Sequence, residues 1–153
     1  MKNKQKKIYA SVFIIYSIFM IWLLFGQRAV DLSFDSYFER ISQNYNVIPF
    51  RTIKEFIENY HHSSFYFINL AGNVVMFVPL GFLLPATFEQ YRHFGKASLE
   101  SLCILLTVET LQFFTLLGSW DIDDIILNML GVFIGYLFYY LTSKLIKKLR
   151  IGK

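Results

Sequence analysis

Glu109 and Gln112 lie three residues apart in the middle of the apolar run from Leu102 to Leu117. A charge at the centre of a membrane helix costs roughly 2.5–3.5 kcal/mol on insertion scales, so such a carboxylate faces a partner, a cavity or a substrate rather than lipid. Just downstream, Asp121, Asp123 and Asp124 open another apolar run, with Asn128 one turn further on. Upstream, Asn69 and Asn73 share one helix face at i, i+4 spacing. Acidic residues of this kind suit a cationic group, a metal-bridged phosphate or a proton. Three states are open to Glu109. It can hold a proton, because burial disfavours the charged form. It can meet Arg51, which stands beside Pro49 and Phe50. Or it can share a cation with Asp121 or Asp124.

Several of these residues also have purely structural readings. Asp121 is placed to be the N-cap of the following helix and Asp124 its N3 residue, where carboxylates are favoured. Asp123 then faces water. Asn69 and Asn73 can form hydrogen bonds between helices, and Gly131 with Gly135 lets a neighbour approach closely. Cys103, the only cysteine, reads as a small apolar packing residue. His61 and His62 give only a weak metal signal, and no catalytic residue, cofactor or metal is assigned.

The elements that position these groups are transmembrane helices. The chain has 153 residues, 55% hydrophobic and 19% aromatic, with mean hydropathy +0.43. That is too apolar for an ordinary soluble domain of this length. Ile8–Phe25 runs without a charge and is long enough to cross a bilayer. No Ala-x-Ala-type cleavage site follows it, so it reads as a retained helix. Further spans run over about 65–88, 97–117 and 122–141, with a kink expected at Pro79. The expected fold is all-α: a polytopic membrane protein, one domain over 1–153, built as a four-helix transmembrane bundle.

Charge distribution orients the bundle. Lys2, Lys4, Lys6 and Lys7, then Arg92 and Lys96, then Lys144, Lys147, Lys148, Arg150 and Lys153 fall on one side. Arg28, Arg40, Arg51 and Lys54 fall on the other, in the loop 26–64. The positive-inside rule places both termini in the cytoplasm. Beside hydrophobic spans, the basic ends read as membrane anchors, not as nucleic-acid contacts. In this orientation Asn73, Glu109 and Asn128 each sit roughly 10–12 Å below the outer edge at 1.5 Å per residue.

The outer loop carries short amphipathic helices. Thr52 and Glu55 match a capping box that would start a helix at Ile53. Phe50, Ile53, Ile57 and Tyr60 then share an apolar face, suited to the outer leaflet. Phe34, Tyr37, Phe38 and Ile41 repeat the spacing, and Pro49 separates the two helices.

Four pieces occur in order: Asn46 to Phe50, Asn73 to Pro85, Glu109 to Gln112, and Asp121 through Asn128 to Gly131. Together they resemble the VanZ-like family of small bacterial membrane proteins, over about residues 44–136. Some relatives carry a basic residue just before the Asp motif; here that stretch is Gly118, Ser119 and Trp120. The resemblance implies an envelope protein, and the founding members are associated with low-level resistance to teicoplanin-type glycopeptides. The expected function is binding of an amphiphilic envelope molecule, such as a lipid-linked cell-wall intermediate or a lipoglycopeptide. The expected ligand-binding set is Asn73, Glu109, Gln112, Asp121, Asp124, Asn128 and Arg51. A metal-dependent lipid-phosphate hydrolase or transferase and a small cation- or proton-coupled transporter are the alternatives.

Overall fold

Four helices are long and apolar enough to cross a membrane in the computed structural model, which describes residues 3–26, 34–59 and 64–151. They belong to α1 (Asn3–Phe25), α4 (Ser64–Thr87), α5 (Phe94–Phe114) and α6 (Ile122–Ile151). Two short helices, α2 (Phe34–Gln43) and α3 (Arg51–Asn59), occupy the loop between α1 and α4. A minimal parallel bridge pairs β1 (Tyr45–Asn46) with β2 (Trp120–Asp121). The all-α polytopic bundle expected from the sequence is therefore present, with both loop helices. Tyr60, His61 and His62 lie outside the described residues.

α4 and α6 form the axis of the bundle, and glycine is the reason. A Cβ at Gly81 would lie 2.0 Å from the Val132 carbonyl oxygen. One at Gly131 would lie 2.1 Å from that of Val74, and one at Gly135 2.0 Å from that of Val78. The backbones touch, as small residues at membrane interfaces permit. Around this seam Phe77, Leu80, Leu84, Leu105, Val132 and Met20 form the core, drawn from all four long helices.

α1 is peripheral, with most of its apolar side chains turned outward. A polar contact holds its middle. Pro79 and Pro85 lie inside α4 and cannot donate to its hydrogen-bond ladder. Beside Pro79, the Tyr16 hydroxyl donates to the Met76 carbonyl at 2.9 Å and meets the Leu80 N–H. A side chain from α1 thus enters the ladder of α4 where proline weakens it.

Two helices differ in extent from expectation, and one residue differs in placement. α5 covers 94–114 rather than 97–117, because Leu116 turns left-handed (φ 54°). The Gln112 carbonyl then accepts from Leu117 and Gly118 N–H and closes the helix. α6 continues ten residues past Leu141, to Ile151. Its last two turns are rich in Leu, Ile and Lys, which favour helix. Finally, Cys103 is exposed on the outside of α5 and is not a packing residue of the interior.

Candidate functional site

The alternation of the four helices brings the N-termini of α4 and α6 together with the C-termini of α1 and α5. The loop helices lie over this end. The β-bridge ties them down: Trp120 N–H donates to the Asn44 carbonyl at 3.0 Å, and Asn44 Nδ2 to the Gly118 carbonyl at 2.7 Å.

Each aspartate of the cluster has a different task. Asp121 is the N-cap of α6, as its position suggests: Oδ1 accepts Asp123 N–H at 2.8 Å. It also accepts from Asn46 Nδ2 at 3.0 Å, and Oδ2 accepts the Thr52 hydroxyl at 2.6 Å. Asp123 is not the water-facing residue the sequence suggests. It is fully buried, and it caps a helix some seventy residues away. Its Oδ1 accepts Phe50 N–H at 2.5 Å, and Oδ2 accepts Thr52 and Ile53 N–H at 2.8 and 3.2 Å. A free N-terminal turn of N–H groups is a natural seat for a carboxylate. Here the carboxylate arrives from another helix. Asp124, the third, accepts from Asn73 Nδ2 at 2.5 Å and joins α6 to α4.

This arrangement corrects the reading of Thr52. It is not the N-cap; α3 begins at Arg51, two residues before the expected Ile53, and the Thr52 hydroxyl is turned to Asp121. The chain enters α3 through a turn in which Arg51 N–H reaches the Ile48 carbonyl at 3.4 Å. Pro49 sets its first central residue, and Phe50 holds the second at φ 66°. That is the geometry of a type II turn, with phenylalanine where glycine is usual. Asp123 holds the strained residue by its N–H.

Glu109 is 3% exposed, about five residues from the end of α5 and so level with the Asp motif. The Asp121 N–H is directed at its carboxylate, and Asp121 and Asp124 are its charged neighbours. Its Oε2 has no protein donor. Asn128 lies one turn beyond Asp124, 4% exposed, and its Oδ1 also has no donor. Two more hydroxyls, that of Ser101 in α5 and that of Thr87 at the C-terminal end of α4, are buried without a partner away from this site. No motif drew attention to them.

Of the expected ligand set, Asn73, Glu109, Asp121 and Asp124 gather at this end, and Asn128 is buried beside them in sequence on α6. Gln112 is engaged elsewhere, donating to the Leu24 carbonyl at the end of α1 at 3.2 Å. Arg51 does not descend to Glu109. It is exposed, pairs with Glu55 at 3.3 Å, and lines a shallow polar cleft of about 250 Å³ with Asn46, Thr52 and Ser119. Asn46, Thr52 and Asp123 complete the network and were outside the expected set. Asn46 stands in the first of the four sequence pieces, which was the available signal. Among the described residues, no three His, Cys, Asp or Glu are grouped so as to hold a metal ion.

Comparison with known proteins agrees with these pieces. The VanZ/LLP1 family model matches residues 13–144, nearly the whole bundle. The chain belongs to the VanZ/LLP1 family. It is 32% identical over 131 residues to Protein VanZ of Enterococcus faecium, covering 85% of this chain and 72% of that protein. No solved structure matches it. With the helices described above, family membership makes this a VanZ-like multi-pass membrane protein. Within it, the three aspartates spend their acceptors on protein donors, and Glu109 and Asn128 retain acceptors that the protein does not use.

Proposed function

We propose that this protein resides in the bacterial plasma membrane with both termini in the cytoplasm, and binds an amphiphilic molecule of the envelope at the outer end of the bundle. One observation carries the reading. Glu109 Oε2 and Asn128 Oδ1 are buried acceptors with no donor, and leaving such groups unmet costs roughly 1–3 kcal/mol each, more if charged. A ligand bearing an ammonium, amide or hydroxyl donor relieves that cost, while the surrounding lipid-facing surface accommodates its acyl part. A lipoglycopeptide or a lipid-linked cell-wall intermediate has both parts. The likeness to Protein VanZ, and the association of the VanZ-like family with teicoplanin-type resistance, support low-level glycopeptide resistance as the outcome.

Binding is favoured over metal-assisted hydrolysis by the state of the aspartates. Asp121 and Asp123 accept hydrogen bonds on both oxygens, and a metal would have to displace those donors. The test uses teicoplanin and expression-matched cells. Wild type raises the inhibitory concentration; Glu109→Gln and Asn128→Leu return it to the vector level without loss of folded protein. Full resistance in both variants removes these acceptors from the mechanism.

A further inference from the structure

A further cavity lies at the opposite end of the molecule, and nothing in the outer network uses it. It is a groove of about 550 Å³ between α1, α4 and α6, within the range of small-molecule sites. Its floor is aromatic: Phe82 lies between Tyr9 and Tyr139, with ring centroids 6.3 and 6.2 Å away. Ala86 and Ile146 extend the apolar wall.

The mouth of the groove is cationic. Arg92 and Lys147 both line it. Arg92 shares Glu89 with Lys6, at 3.5 and 2.5 Å, so one carboxylate serves two cations. Lys147 and Ser143 stand one turn apart on α6 and make no ion pair or hydrogen bond among the described residues. The Tyr136 hydroxyl holds the Arg92 backbone by its carbonyl at 2.7 Å, which fixes the rim to α6.

We infer that this groove binds one anionic phospholipid, its phosphate between Arg92 and Lys147 and an acyl chain along Phe82 and Ile146. The charge at the mouth selects an anion, and the apolar floor selects a hydrocarbon chain. An anionic lipid meets both demands; inorganic phosphate meets one, and a zwitterionic lipid meets the other with weaker attraction at the mouth.

The full chain purified in a neutral detergent tests this by native mass spectrometry and thermal unfolding. Phosphatidylglycerol, phosphatidylcholine and inorganic phosphate are added in separate arms. Phosphatidylglycerol is expected to remain bound at one molecule per chain and to raise the unfolding temperature more than the other two. Lys147→Gln and Arg92→Gln each weaken its binding about fivefold, and Ile146→Trp, at an exposed position that lines the groove, blocks it. Lys144 lies on the same helix but stacks on Tyr140 outside the groove, so Lys144→Gln leaves binding unchanged. Equal loss in Lys144→Gln, equal stabilisation by phosphatidylcholine or phosphate, or a second copy of the chain in place of lipid overturns the assignment. Because teicoplanin susceptibility reports on the other end of the bundle, the two readings fail separately.

Discussion

The two ends of the bundle treat charge in opposite ways. At one end, carboxylates are buried and matched with amides, hydroxyls and the N–H groups of two helix N-termini. At the other, cations are exposed beside an apolar groove, and two of them, Lys6 and Arg92, share Glu89. A buried charge must be answered inside the protein, so the acidic end is rigid architecture with a small unmet remainder. An exposed charge is answered by water or by whatever the membrane supplies. Conspicuous acidity in the sequence therefore marks mainly a lock, and the remainder at Glu109 and Asn128 is where binding is to be sought.

The comparison can be broken most severely at the seam that joins the ends. Gly135→Val places a side chain against the Val78 carbonyl, a backbone atom that cannot swing aside. It is expected to cost well over 3 kcal/mol and to leave little folded protein by size-exclusion chromatography. Next comes the lock. Asp123→Ala strands three N–H groups of the α3 entry and should cost about 3 kcal/mol, more than an ordinary cap. Thermal unfolding in detergent measures it, and rapid proteolysis between residues 47 and 59 should accompany it. If Asp123→Ala is neutral, the acidic end is not a lock.

A smaller effect of opposite sign sharpens the point. Phe50 is exposed and left-handed, so Phe50→Gly relieves strain of about 1–2 kcal/mol against a glycine entropy cost of about 0.5–1. A rise in stability of about 0.5 kcal/mol is expected. A clear fall would show that the Phe50 side chain holds the loop.

The smallest effect belongs to the basic end. The Lys6 ammonium beside Glu89, by hydrogen bond and charge, and then Arg92 hold its carboxyl below the ordinary 4.5. The folded value is depressed, so the contribution is present above about pH 4.5 and fades as pH falls through the lower folded value. Lys6→Gln should flatten the acid side of the stability profile slightly and leave neutral pH nearly unchanged, since exposed pairs contribute little.

Much of this was legible in advance because it is local. Apolar runs of bilayer length gave the four spans, helical spacing gave α2 and α3, and an aspartate before an apolar run marked the cap of α6. Gly131 and Gly135 announced a close approach without naming α4 as the neighbour. Thr52 shows where local reading stops: its motif predicted a cap, yet Asp121 and Asp123 compete for the same hydroxyl and N–H groups and win. Gln112 shows it again, since its position on the face of Glu109 did not foretell a bond to Leu24.

The chain alone thus determined what repeats along it: hydrophobic length, periodicity, proline and glycine positions, and the gathering of polar residues toward one end. Only the tertiary structure decided which oxygen meets which donor. Those pairs join residues some fifty to ninety positions apart, and a hydrogen bond depends on distance and angle in space, which no spacing along the chain encodes.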